Sequence, residues 1–211
     1  MPETSNRIFT IPNMISFVRI LLIPVFAVLY HCGHPVAALA VLVLSGLSDL
    51  VDGKIARRFH MVSEIGKALD PVADKLTQIT LAVLLFLRFR QSPDGAIRAF
   101  SWVFLLFLGK ELLMLLVSLV MLLLKKRPAA AEIYGKVATV LFYVVMCLLF
   151  LAGPEVGVLA EHWPQLTLPV PVVQGMVIAA LVATFVAFFS YFPDTYRKLF
   201  HKEKKEKRPA E

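Results

Sequence analysis

The sequence predicts an all-α integral membrane protein of six transmembrane helices with both termini in the cytoplasm, and three observations carry that expectation. The 211-residue chain is 58% hydrophobic with 18% charged residues, and its mean hydropathy is +0.75, far too apolar for an ordinary soluble domain. Runs long and apolar enough to cross a hydrocarbon core recur six times, at roughly 14–32, 35–52, 67–87, 98–124, 136–153 and 170–192. Lys and Arg gather in alternate connections instead of evenly.

Taken in order, the first run follows 13 residues that lack the charged start, short apolar core and small-residue cleavage site of a secretory signal, so it reads as a retained helix. Only "HCGH" separates it from the second run, which demands a tight hairpin. The fourth run is long enough to tilt or to extend beyond the membrane. No soluble domain and no internal repeat interrupts the series. Residues 1–196 form the expected membrane domain and 197–211 a basic cytoplasmic tail.

Orientation follows from the basic residues. Lys54, Arg57, Arg58 and Lys67 follow the second run, Lys125, Lys126 and Arg127 follow the fourth, and seven more Lys and Arg lie in "YRKLFHKEKKEKRPAE". With six spans all of these share the side of the amino terminus, which the positive-inside rule places in the cytoplasm. Arg88, Arg90 and Arg98 in and beside "RFRQSPDGAIR" fall on the other side and are an imperfection. The formal net charge of +7 then belongs to a juxtamembrane surface attracted to anionic lipid head groups. Nothing in the chain forms a nucleic-acid module. Cys32 and Cys147 have no metal-ligand spacing and read as packing residues.

Against this apolar background stands "SDLVDGKIARRFHMVSEIGKALDPVADK", residues 48–75. The second run ends toward the cytoplasm at Asp49 and Asp52; the third begins there and carries Asp70 and Asp74. Residues three or four apart share a helix face, so each helix can present two carboxylates at the same depth. Four carboxylates that close would repel and raise one another's pKa unless cations were present. Hard divalent cations with oxygen ligands satisfy them. Gly53, Ala56 and Gly66 add no bulk, and Arg57 can pair with the acids or hold a phosphate. The plainer reading is a polar turn at Asp52–Gly53 with ion pairs to Lys54, Arg57, Arg58 and Lys75; it serves for one aspartate and not for the whole pattern.

That pattern, D-x-x-D-G-x-x-A-R, eight residues, then G-x-x-x-D-x-x-x-D, is met at every fixed position by Asp49, Asp52, Gly53, Ala56, Arg57, Gly66, Asp70 and Asp74. It resembles the signature of the CDP-alcohol phosphatidyltransferase family. The resemblance extends to "IPNMISFVRILLIPVF", which looks like the first segment of the phosphatidylglycerophosphate synthases in that family. It implies a membrane enzyme of the bacterial cell membrane, a homodimer, that moves a phosphatidyl group from CDP-diacylglycerol to an alcohol and releases CMP. Carried over, it makes Asp49, Asp52, Asp70 and Asp74 ligands of two divalent ions, Mg or Mn, with Asp74 also the general base. Asp52, Gly53, Ala56, Arg57 and Gly66 would contact the CDP-lipid. No Ser, Cys or His stands at a fixed position of the motif as a covalent nucleophile, so one in-line displacement is expected.

Polar residues outside the motif should choose the acceptor, a small alcohol phosphate or a lipid. Arg19 sits about two turns into the first run, where it is either functional or snorkels to the interface. Lys110 and Glu111 lie within the fourth run, where they either meet substrate or satisfy other intramembrane polar groups, and Lys136 follows Gly135 at the start of the fifth. Arg19, Lys110 and Lys136 are the acceptor candidates. Phosphatidylglycerophosphate synthases resemble the chain at "YGKVAT" but often carry a second lysine where Ala138 stands, and Arg-Glu where Lys110 and Glu111 stand. Glycerol 3-phosphate is the first expected acceptor, and phosphatidylglycerol, used by cardiolipin synthases of the CDP type, the second. A cation-binding transporter would explain the acids but not Gly53, Ala56, Arg57 and Gly66 at their spacings.

Overall fold

The computed structural model describes residues 11–58, 64–123 and 133–200, with side chains described over 13–48, 72–121, 123, 135–160 and 163–190. Eight α-helices account for nearly all of the described chain: α1 (Ile11–His31), α2 (Pro35–Arg58), α3 (Glu64–Arg90), α4 (Gly95–Phe100), α5 (Val103–Leu123), α6 (Ile133–Ala152), α7 (Val158–His162) and α8 (Val170–Phe200). A single 3₁₀ turn, Pro164–Leu166, lies between the last two. No strand occurs among the described residues. Four segments are long and apolar enough to cross a membrane: Asn13–His31, Gly95–Met121, Gly135–Ala152 and Val170–Ser190. Their outward faces are unlike those of a water-soluble bundle, since Leu21, Val28, Leu106, Leu116, Val182 and Phe189 are all exposed.

The α1–α2 hairpin closes as "HCGH" requires. Gly33 has a φ of +78°, and the His34 N–H donates to the Leu29 carbonyl at 2.9 Å, so a glycine in the left-handed region caps α1. Pro35 then opens α2, where its missing N–H costs nothing. The fourth apolar run is not one straight helix. Ser101 and Trp102 separate α4 from α5, with the Ser101 hydroxyl donating to the Arg98 carbonyl at 2.6 Å. At the other end of α4, Asp94 accepts the Ala96 N–H at 2.7 Å as an N-cap.

Several helices outrun their apolar segments. Lys54, Arg57 and Arg58, expected in a loop, belong to α2, because Lys, Ala and Arg are good helix formers and a membrane boundary does not end a helix. In the same way α8 runs to Phe200, past the expected start of the basic tail at 197; residues 201–211 lie outside the described residues.

Packing places α1 against both α2 and α3, α3 against α5, α2 against α6, and α6 and α5 against α8. A column of rings joins three of these. Phe89 of α3 meets Phe104 of α5 edge-on at 5.3 Å, Phe104 lies 6.4 Å from Phe107, and Phe107 lies 5.5 Å from Phe142 of α6. Phe26 and Tyr30 of α1 both meet Phe150 of α6 edge-on, at 5.3 and 5.0 Å. In lipid such close packing, not release from water, holds helices together.

The carboxyl ends of α1, α3 and α6 meet. Tyr30 donates to the Val156 carbonyl at 3.2 Å, Arg88 Nε to the Glu155 carbonyl at 3.3 Å, and the Ser92 hydroxyl to Glu155 Oε1 at 2.6 Å. Glu155 holds a φ of +62° there. Arg90 lies over the Trp102 ring at 5.2 Å. Two of the three arginines that blurred the charge asymmetry therefore have local work at this end of the bundle. Because α2 runs the opposite way to α1 and α3, its carboxyl end and the amino end of α3 lie at the other end.

Candidate active site at the end of the bundle

The motif occupies that other end. Asp49, Asp52, Gly53, Ala56 and Arg57 lie on the last turns of α2, and Gly66, Asp70 and Asp74 on the first turns of α3. Both acid pairs thus stand on helix, not in a turn, at the i, i+3 and i, i+4 spacings that share a face. Side chains from 49 to 71 lie outside those described. A crevice where α1, α2 and α3 meet, lined by Leu22, Phe26, Leu42, Ser45, Thr77 and Thr80 among others, fixes where the motif emerges. Ser45 precedes Asp49 by one turn of α2, and Thr77 follows Asp74 by three residues on α3.

Asp74 has a described setting. Its two oxygens each lie 3.2 Å from Gln78 Nε2, which donates to them from one turn further along α3. The Tyr143 hydroxyl of α6 donates to Oδ1 at 3.3 Å. Lys75 Nζ is 4.0 Å from Oδ2, but only 2.9 Å from Glu111 Oε2 on α5. Glu111, with no solvent exposure, takes Lys110 on its other oxygen. Lys75 also donates to Gln78 Oε1 at 3.5 Å. Two carboxylates and two ammonium groups are thereby drawn into one charge-balanced cluster across α3 and α5, buried at Lys110 and Glu111 and half-buried at Asp74 and Lys75. Balance is what low dielectric requires of it, because a buried charge left without its partner is costly.

The acceptor candidates have different surroundings. Arg19 is 1% exposed on α1, and Asn13 and Ser16, at three-residue intervals before it, are buried as well. Lys110 is 9% exposed and paired with Glu111. Lys136 is exposed on the first turns of α6, next to buried Gly135 and two residues before buried Ala138. Lys110 joins Asp74 through Glu111 and Lys75, whereas Lys136 lies on the outside of α6.

Sequence reasoning weighed Lys75 only as an ion-pair partner and missed Gln78 and Tyr143. Gln78 has a local signal, an amide one turn after Asp74 at the edge of the apolar run "LTQITLAVLLF". Tyr143 has none, because its role depends on α6 reaching α3. Its ring also sits 3.8 Å from the place a Cβ would take at Gly46 on α2, an ordinary packing distance that brings Tyr143 against α2 as well as α3.

The model of the CDP-alcohol phosphatidyltransferase family matches residues 9–187. Over 82 residues the chain is 43% identical to a putative cardiolipin synthase of Mycobacterium tuberculosis, covering 38% of this chain and 39% of the relative. Over 141 residues it is 35% identical to a cardiolipin synthase (CMP-forming) of Streptomyces coelicolor, covering 64% of this chain and 62% of the relative. The matched regions thus span less than two thirds of these two relatives. A CDP-diacylglycerol–glycerol-3-phosphate 3-phosphatidyltransferase of Bacillus subtilis is 31% identical over 146 residues, covering 62% of this chain and 71% of that protein. A match over most of the chain, on a helical membrane fold with the acid motif on two neighbouring helix ends, makes this protein a member of the CDP-alcohol phosphatidyltransferase family.

Proposed function

We propose that the protein transfers a phosphatidyl group from CDP-diacylglycerol to the hydroxyl of phosphatidylglycerol, forming cardiolipin and CMP, at the cytoplasmic face of the cell membrane. The observation that carries the transferase reading is the complete acid motif with Gly53, Ala56, Arg57 and Gly66 at their spacings. A cation transporter has no use for those four.

The donor set fits divalent metal ions, since Asp49, Asp52, Asp70 and Asp74 offer hard carboxylate oxygens and no sulfur or imidazole. When bound, such ions would neutralise the pyrophosphate and stabilise the departing CMP. Asp74 takes the proton of the acceptor hydroxyl. The freed oxygen attacks the lipid-side phosphorus, the bond from that phosphorus to the bridging oxygen breaks, and its electron pair leaves on CMP. Asp52, Gly53, Ala56, Arg57 and Gly66 hold the cytidine and its phosphates, with Arg57 pairing a phosphate. Arg19, Lys110 and Lys136 remain the acceptor candidates.

Phosphatidylglycerol is placed ahead of glycerol 3-phosphate, reversing the order drawn from sequence. Ala138 and Lys110 both depart from the synthases that bind a doubly charged glycerol phosphate, and the mycobacterial and Streptomyces relatives carry the cardiolipin synthase name. Glycerol 3-phosphate stays the second reading on Gly135, Lys136 and Thr139 and on the Bacillus relative. We further read six spans, cytoplasmic termini and a homodimer.

The test supplies labelled CDP-diacylglycerol and Mg to the purified full chain with phosphatidylglycerol, glycerol 3-phosphate, inositol, inositol phosphate or serine. Labelled cardiolipin is expected with phosphatidylglycerol alone. Phosphatidylglycerophosphate as the sole product would establish the second reading, and no CMP release with any acceptor would remove the transferase reading.

A further inference from the structure

We infer that Glu111 is a positioning residue for the transfer step, acting on Asp74 through Lys75 and Gln78; this rests on Asp74 being the base. The contacts form a directed chain. Glu111 Oε2 holds Lys75 Nζ at 2.9 Å. Lys75 is donor only, so the atom of Gln78 that faces it at 3.5 Å must be the carbonyl oxygen. That choice turns the amide so that Nε2 points to both oxygens of Asp74 at 3.2 Å. Tyr143 closes on Oδ1 from α6 at 3.3 Å.

The consequence is twofold. The rotamer of Asp74 is held by Gln78 on its own helix and by Tyr143 from α6, with Glu111 of α5 acting behind Lys75, as a group that must meet a hydroxyl at hydrogen-bond distance requires. The chain also decides which carboxylate Lys75 serves. Its ammonium lies 1.1 Å closer to Glu111 (2.9 Å) than to Asp74 (4.0 Å). Without the Glu111 charge, the nearest remaining carboxylate among the described side chains is Asp74. Lys75 would then move onto Asp74 and compete with the acceptor hydroxyl for the same oxygens. Lys110, on the other oxygen of Glu111, fixes the carboxylate so that Oε2 faces Lys75.

Five single variants, one of them the Asp74→Asn control, and one double variant of the full chain test this, each read for kcat, acceptor KM, CDP-diacylglycerol affinity and thermal midpoint. Glu111→Gln, Lys75→Met and Gln78→Leu should each lower kcat about 10–100-fold, the usual cost of removing an outer-shell partner, with CDP-diacylglycerol affinity and acceptor KM changed less than about threefold. Lys75→Arg, which keeps the charge and the donors, should stay within about threefold of the parent kcat. Because the residues act in series, Glu111→Gln with Gln78→Leu should be no slower than the slower single variant, whereas independent roles would multiply the losses. Multiplied losses overturn the inference. So does a rise in acceptor KM at unchanged kcat, which would mean that the lysines touch the acceptor directly. If Glu111→Gln does not yield folded protein, Lys75→Met with Gln78→Leu runs the same cycle. Asp74→Asn is the control: if it keeps transfer, the base assignment itself fails, whereas a dead Asp74→Asn beside fully active Glu111→Gln and Gln78→Leu sinks only the chain from Glu111.

Discussion

The proposed mechanism gives Asp74 two jobs that can be separated at the scale of single residues. As the proposed base it would have to accept a proton, while CDP-lipid binding would depend on the metal ligands and on Gly53, Ala56 and Arg57. Asp74→Asn should therefore cost about 10²–10⁴ in transfer rate while largely retaining metal-dependent CDP-diacylglycerol binding. Asp49→Asn, which removes a ligand charge and keeps the shape, should lose both. Paired transfer rates and lipid affinities, each titrated with Mg, decide it. Equal loss of lipid binding in the two variants would make Asp74 a structural metal ligand instead. The neighbours of Asp74 sharpen the expectation: Gln78 and Tyr143 both donate to Oδ1 and can still serve the single amide oxygen of an Asn placed there, while its Nδ2 loses the Gln78 contact made at Oδ2.

At the scale of elements, the joints between helices differ in what they tolerate. Gly33 caps α1 in the left-handed region, but a Cβ there would meet nothing within 4 Å. Gly33→Ala should cost about 1–2 kcal/mol, the price of that backbone region for an L-residue. Gly157 has ordinary φ, −78°, yet a Cβ on it would lie 2.7–2.8 Å from backbone atoms of Gly153 and Leu151. Backbone cannot swing aside as a side chain can, so Gly157→Ala should shift the turn that holds Glu155 against Ser92 and Arg88. A cost at or above about 3 kcal/mol is expected. Thermal midpoints of the two variants in detergent rank them; a Gly33→Ala loss larger than that of Gly157→Ala would contradict the close approach.

Over the whole molecule, the acid motif and the densest inter-helix polar contacts outside it lie at opposite ends of the bundle. The far end gathers Tyr30, Arg88, Ser92 and Glu155, with Trp102 and Trp163 exposed beside it as in an interfacial belt. The motif and its acids lie at the opposite end. If the motif end faces the cytoplasm, Cys32, which is exposed just past α1, should react with a membrane-impermeant thiol reagent applied to intact cells. A cysteine placed at His60 or Ser63 in a Cys32→Ser background should react only after permeabilisation. Labelling of position 60 or 63 from outside would invert the topology and remove the cytoplasmic active site.

Much of this was written in the order of residues. Hydrophobic length alone determined that the chain is helical and membrane-bound, because a backbone without water must satisfy its own hydrogen bonds. The spacing Asp49, Asp52, Asp70 and Asp74 determined the acid pairs, because helical periodicity is local. Even the hairpin at Gly33 was readable from "HCGH". Helix ends were not: α2 and α8 continue past the apolar residues, since hydrophobicity reports where lipid begins and not where helical hydrogen bonding stops. Nor did the sequence say which group Lys110 and Glu111 would serve, and it passed over Tyr143 altogether. Lys75 meeting Glu111 across 36 positions, and Asp74 meeting Tyr143 across 69, depend on which faces of α3, α5 and α6 turn inward together. Only the tertiary structure decides that, because many distant packing contacts jointly set the rotation of each helix and no local pattern records it.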